Sequence, residues 1–276
     1  GNVELDNIYK LLDYPEQEKD NNITLTSGKN IVLSNVSFSY NEEPTLKDIN
    51  MIFKPSTKTA LVGESGSGKS TIIKLILGLN SNYAGSIKYD TFDIDTIPAN
   101  KMSKIATLIT NDSYLVQGSI RSHLSVNKHI TEEDMYNALE KVNLKDFVIE
   151  NGGLDYQLSC GASNLSGGQK QRLLAAKAIL KDSYIYILDE AVSNIDDYSK
   201  KIVLDAFDSI KNGKIIVVIS HDLETITNSD NIYVLKDQQI IEEGTHEQLI
   251  DQPSLYKKLF NDQQQLKEKF LAKEVE

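Results

Sequence analysis

Between Val36 and Tyr40 apolar and polar side chains alternate strictly, after a looser start at Ile31 and Leu33. A period of two puts Val36, Phe38 and Tyr40 on one face, so a strand with one covered face is predicted there. Three further runs read as strands: 59–63, 184–188 and Ile215–Ile219. The last two are nearly continuous in apolar residues, as in a sheet covered on both faces. Helical spacing takes over between them. Leu75, Ile76 and Leu79 follow the first run, and Ile202, Val203, Ala206, Phe207 and Ile210 make one helix face before the last. Met135, Ala138, Leu139 and Val142 share a face behind Thr131-Glu132-Glu133-Asp134, a capping-box-like start. Leu173, Ala176 and Leu180 mark another helix, expected just after the loop at 165–169. Strand, helix and strand in alternation predict an α/β fold with a mainly parallel sheet, interrupted by a mostly helical section over about 112–182. The start, 1–28, is polar and acidic with Ile8, Leu11 and Leu12 as its apolar points, a linker or a terminal helix fragment. The end, 253–276, is charged, with Leu255, Leu259, Leu266 and Phe270 as anchors, and reads as a solvated helix.

Composition narrows the class. The 276 residues are 40% hydrophobic and 25% charged, which is ordinary for a globular chain large enough to bury a full core. Lys and Arg number 29 against 40 Asp and Glu, a net charge of −11 that disfavours broad binding to nucleic acid. Cys160 is the single cysteine, so no intrachain disulfide is available and a reducing compartment fits. No apolar run approaches the roughly 20 residues that span a bilayer. A basic-then-apolar leader is not visible, and Gly1 in place of Met reads as a processed or excised chain.

Three short elements carry candidate chemistry. Gly63-Glu64-Ser65-Gly66-Ser67-Gly68-Lys69-Ser70 fits a phosphate-binding loop, with a strand before it and a helix after it. Glycines let backbone N–H groups converge on phosphate without side-chain interference, and the helix N-terminus adds positive potential. In that motif the lysine reaches the β- and γ-phosphates and the Ser70 hydroxyl binds Mg²⁺. Asp189 and Glu190 end a buried run, where an α/β sheet opens its ligand crevice. The alternative for the pair is an acidic helix start. His221 follows the next strand in the position parallel to Asp189; a lone histidine there is more often structural than catalytic, and its place beside the crevice points to a γ-phosphate contact. Leu165-Ser166-Gly167-Gly168-Gln169 is a second glycine-serine element, and one phosphate tail does not need two loops from one chain. It is expected to serve a nucleotide held by another subunit.

In that order, these motifs resemble the nucleotide-binding domain of ATP-binding cassette (ABC) transporters over about 28–250. The resemblance implies a P-loop NTPase (RecA-like) core with a mainly parallel sheet, an antiparallel β-subdomain and a helical signature subdomain. It implies domain limits of 1–28 for a linker from a membrane domain, 29–250 for the nucleotide-binding domain and 251–276 for a helical tail. The activity implied is hydrolysis of ATP coupled to transport, with ATP and Mg²⁺ as cofactors. Tyr40 takes the place of the aromatic that stacks on adenine, and Gly63, Glu64, Ser65, Gly66, Ser67, Gly68, Lys69, Ser70 and Thr71 that of the phosphate cradle. Ser70, Asn111 and Asp189 take the metal positions, and Glu190, His221 and Lys69 the catalytic ones. Ser166, Gly168 and Gln169, with Asp196 of Ser193-Asn194-Ile195-Asp196, would act across a dimer interface. The stretches 8–15 and 241–249 are similar to the exporter subset, which implies a transmembrane domain as partner. It further implies a second nucleotide-binding domain, identical or different, and a place at the cytoplasmic membrane face.

Four residues depart from the family pattern. Asn111 stands where glutamine is usual and Cys160 where an acidic residue faces the membrane domain. Lys177 and Asp222 replace arginines and read as surface variation. Three rivals remain at this stage. A nucleic-acid-linked cassette ATPase would carry a long coiled coil or two cassettes, and a nucleotide kinase has no use for 165–169. A non-hydrolysing regulatory module is opposed by Glu190 and His221.

Overall fold

The apolar runs form the middle of a six-stranded sheet. A computed structural model describes residues 23–274, side chains beyond 269 excepted. Most of the expected linker, 1–22, lies outside the described residues. The chain begins with β1 (Ile31–Ser39), β2 (Pro44–Phe53), β3 (Thr57–Gly63), α1 (Lys69–Ile76), β4 (Ala84–Tyr89) and β5 (Phe92–Asp93). It continues with α2 (Ala99–Ile105), β6 (Ala106–Thr110), β7 (Gly118–Ser119), α3 (Ile120–Leu124), α4 (Glu132–Lys141), α5 (Lys145–Glu150) and β8 (Gln157–Leu158). Then come α6 (Gly167–Leu180), β9 (Ile185–Asp189), α7 (Asp197–Ser209) and β10 (Ile215–Ile219). It closes with β11 (Asn231–Lys236), β12 (Gln239–Gly244), α8 (His246–Ile250) and α9 (Leu255–Glu274).

The main sheet has the order β12-β11-β3-β10-β9-β6 and is parallel except for β12. Its two faces explain the unbroken apolar runs. Ile215, Val217 and Ile219 of β10 enter one core with Leu61, Ile185, Ile187 and Ile72. Ile216 and Val218 enter the other with Ala60, Val62, Tyr186, Leu188 and the helical section. Each such side chain, fully buried, contributes about 1.5–3 kcal/mol. A polar residue at any of these positions would lose its water without gaining a partner.

A second, antiparallel sheet has the order β2-β1-β4-β5 and covers the Leu61 face through Leu33, Phe38, Ile49 and Phe53. Its β2 is not visible as an alternating stretch because its period is broken. Leu46 and Ile49 are both buried although three residues apart, and Asp48 between them sits at φ 48°. The Asp48 N–H donates to Ser37 Oγ at 2.9 Å across this irregularity.

Two boundaries and the setting of the tail differ from the sequence reading. Helix α1 stops at Ile76, before Leu79, because Gly78 turns the chain at φ 66°. Helix α6 begins inside the 165–169 element rather than after it. The tail is not merely solvated: Tyr256 of α9 is fully buried, its hydroxyl 2.9 Å from His246 Nδ1. Thr131 caps α4 in a full capping box with Asp134. Among the described residues no helix is long and apolar enough to cross a membrane.

Candidate functional site

Parallel pairing lines up the ends of four strands. Leu61 of β3 pairs with Ile219 of β10, Ile219 with Asp189 of β9, and Asp189 with Thr110 of β6. The loops that follow therefore leave from one edge of the sheet and carry Lys69, His221, Glu190 and Asn111. That edge is where open α/β sheets hold ligands.

The loop after β3 can be made only with glycine at two of its positions. A Cβ on Gly63, at φ 156°, would lie 2.4 Å from the Leu235 carbonyl oxygen. One on Gly68, at φ 106°, would lie 2.4 Å from Leu46 Cδ2. Gly68 is also the N-cap of α1, whose first amides carry no side-chain cap. Lys69 is folded back on the loop, its Nζ donating to the carbonyls of Gly63 at 2.7 Å and Glu64 at 2.9 Å. Burial holds its pKa below the usual lysine range, against the pull of Glu190 and Asp189. Ser67 Oγ is buried with no hydrogen-bond partner, an orphan donor aimed within the loop. Glu64, Ser65, Gly66 and Ser70 are exposed and Thr71 is buried.

Asp189 closes β9, and burial raises its pKa despite Lys69 nearby. Glu190 comes next with a backbone at φ 54°, sparsely populated for a side chain of its size. Its N–H donates to the Ile219 carbonyl at 2.9 Å, and its own carbonyl accepts from Ser193 N at 3.1 Å and Ser193 Oγ at 2.9 Å. These bonds hold the strained residue in place. Glu190 Oε1 is buried without a hydrogen bond, 3.5 Å from His221 Nε2. Burial again pushes the carboxyl up, with His221 opposing. A desolvated carboxylate beside a histidine is the setting of a general base.

The second group is built on two helix starts. Ser166 caps α6: its Oγ accepts from Gln169 N at 3.1 Å, and Ser166 N donates to Gln169 Oε1 at 2.8 Å. Gln169 is thus engaged by its own helix. Asp196 caps α7 by accepting from Ser199 N at 2.8 Å. Gly168 lies where the two helices meet; a Cβ there would be 2.2 Å from Ser199 Oγ and 2.7 Å from Asp196 Oδ2. Gly167 is exposed, with nothing closer than 3.9 Å to its Cβ position. Among the described residues no hydrogen bond or ion pair joins this group to the Lys69 loop.

Tyr40 stands at the rim of a cleft of about 610 Å³ lined by 40–45, Gly66 and Gln238. Its ring packs edge-on against Phe38, and its hydroxyl accepts from Asn80 Nδ2 at 2.9 Å. Half its surface is open. Asn111 is exposed directly beyond β6, and Cys160 is exposed as well. Lys177 is exposed as expected, but Asp222 is not surface variation. It accepts from Lys200 at 3.1 Å and Lys267 at 3.0 Å, and these bonds hold its pKa low despite burial. Its partners lie 22 and 45 residues away, beyond the reach of local pattern.

Comparison with known proteins agrees with this geometry. Residues 46–193 match the family described as ABC transporter. An uncharacterized ABC transporter ATP-binding protein of Haemophilus influenzae is 37% identical over 97% of this chain and 49% of its own length. An ATP-dependent lipid A-core flippase of Saccharophagus degradans is 36% identical over 95% of this chain and 46% of its own. The solved structure of a bacterial Atm1-family ABC exporter with ATP bound superposes with a TM-score of 0.81 and 25% identity, over 95% of this chain and 47% of that one. The chain thus spans about half the length of these relatives. With a phosphate-loop motif, two carboxylates and a histidine at one sheet edge, and a family match over more than half its length, the chain belongs to the ABC transporter family, as an ATP-binding domain similar to those of exporters.

Proposed function

We propose that this domain is the ATP-driven motor of a membrane exporter, working as a head-to-tail pair at the cytoplasmic membrane face. The reading assigns 29–250 to the motor, with 112–182 as its signature-bearing part, and the preceding segment to a connection with a transmembrane domain. One observation carries it: Lys69, Asp189, Glu190 and His221 issue from adjacent strand ends, while the Ser166 helix start is exposed and, among the described residues, not bonded to the Lys69 loop. A single copy thus offers half of two sites.

Lys69 exchanges the Gly63 and Glu64 carbonyls for the β- and γ-phosphates of ATP, and Ser67 Oγ gains a partner. The amides of 66–71 complete the cradle, and Tyr40 stacks on the adenine across the cleft. Ser70, Asp189 and Asn111 fit Mg²⁺, being a hydroxyl, a carboxylate and an amide oxygen of the hard kind that ion takes. The burial that raises Asp189 also leaves its carboxylate in need of a cation. When bound, Mg²⁺ neutralises charge on the phosphate oxygens. Asn111 is about 1.5 Å shorter in reach than glutamine and would act through water.

Glu190 accepts a proton from the attacking water while His221 steadies the γ-phosphate, and Ser166 and the Gly168 amide of the partner copy close the site. Charge neutralisation by such preorganised donors supplies most of the barrier reduction in phosphoryl transfer. The relatives named above include a lipid flippase, and others are named for multidrug resistance and heavy metal tolerance. One motor therefore serves different cargoes, and its residues do not specify which.

Steady-state phosphate release by the purified chain tests the reading. Glu190→Gln is expected to lower turnover by about 10²–10⁴-fold while ATP binding persists. Turnover at the wild-type level would remove Glu190 from the chemistry.

A further inference from the structure

The loop that carries His221 is held from outside by the C-terminal helix. Gln263 of α9 makes two hydrogen bonds to it: its Oε1 accepts from Leu223 N at 3.0 Å, and its Nε2 donates to the His221 carbonyl. One turn on, Lys267 Nζ donates to Asp222 Oδ1 at 3.0 Å and to Glu224 Oε2. Gln264 Nε2 adds a bond to Glu224 Oε1 at 2.6 Å. Asp222 is tied on its other side to Lys200 of α7, so the loop is clamped between two helices. Every residue from 221 to 224 thereby has a polar partner on α9.

The helix is itself well anchored. Glu242 of β12 accepts from Leu255 N at 2.6 Å and Tyr256 N at 3.0 Å at its first turn. Tyr256 and Phe260 pack with His246 just below. Tyr256, Phe260, Gln263 and Lys267 recur at steps of four, three and four, one stripe of a helix. The apolar half of the stripe grips the body and the polar half grips the loop.

The His221 ring, by contrast, is two-thirds exposed, with Glu190 3.5 Å from its Nε2. Its place is set by its backbone rather than by packing. We propose that Gln263 and Lys267 are positioning residues for His221, with α9 acting as a strap that fixes the 220–224 loop beside Glu190. The proposal rests on the role given to His221 above. Loss of the strap would let the imidazole drift from the γ-phosphate without altering the phosphate loop. The effect therefore falls on turnover and not on ATP affinity.

The test is steady-state ATP hydrolysis and ATP binding by the purified chain. Gln263→Ala, which loses both bonds to the loop, and Gln263→Glu, which loses the one to the His221 carbonyl, are each expected to lower kcat roughly three- to tenfold, with KM unchanged. The glutamate keeps size and still accepts from Leu223 N, but cannot donate to the His221 carbonyl; it covers the case in which the alanine variant fails to fold. Lys267→Ala should act in the same direction, and Lys267→Arg should restore the rate. In a His221→Ala background, Gln263→Glu should cost nothing more, because neighbours acting through one group are not additive. Wild-type kcat in the Gln263 and Lys267 variants, or losses that multiply with that of His221→Ala, would overturn the strap alone. Wild-type turnover in His221→Ala would instead overturn the role of His221, and the strap with it.

Discussion

Glu190 shows how one residue is prepared for chemistry by its surroundings. Its backbone is held at φ 54° by bonds from Ile219 and Ser193, and its carboxyl is desolvated beside His221. Because burial raises its pKa, the base form is lost at a higher pH than for an ordinary glutamate. Turnover should fall on that acid limb, and Glu190→Gln should abolish the limb along with most of the rate. The same sign governs stability. A carboxylate whose folded pKa is raised costs stability above that pKa and costs nothing below the unfolded one. Thermal melting should therefore show Glu190→Gln stabilised at neutral pH and unchanged in acid.

The two signature glycines separate in the same way. Gly168→Ala would drive a methyl group into Ser199 and Asp196, a clash between two helices worth about 1–3 kcal/mol of destabilisation. Gly167→Ala has room and should melt within about 0.5 kcal/mol of wild type. The motif alone marked Gly168 as a ligand contact and gave no sign of its packing role. Only the approach of α7 distinguishes them.

At the scale of elements, regular periods were readable and broken ones were not. Ile215–Ile219 and the Thr131 capping box lie where the spacing puts them, because both faces of one are covered and the cap of the other is local. Strand β2 escaped because the turn at Asp48 shifts its buried positions by one residue. The grouping of these candidate residues was legible for the same reason the sheet was, since strand ends bring Lys69, Asp189 and His221 to one edge. The anchoring of the C-terminal helix was not, because its partners lie some 40 residues back at Asp222 and Glu224. Its anchor is checkable by chemical denaturation: Tyr256→Ala removes a fully buried ring and should cost about 3–5 kcal/mol, far more than an exposed tail residue would.

At the scale of the whole molecule, the Lys69 group and the Ser166 group have no bond between them among the described residues. Their separation is the reason for expecting a pair. Gly167→Asp is a clean lesion of the second group. Its site is open, an acid at a helix start is favoured by the dipole, and the added charge would repel phosphate. Lys69→Ala is the matching lesion of the first. Each variant alone carries the same defect in both sites of its homodimer and should release little phosphate from ATP. In a mixed pair arranged head to tail, one site collects both lesions and the other has none. The most direct measurement is phosphate release from the mixture of Lys69→Ala and Gly167→Asp chains. Recovery of activity on mixing is the predicted result; a mixture as inactive as either variant alone would contradict the account.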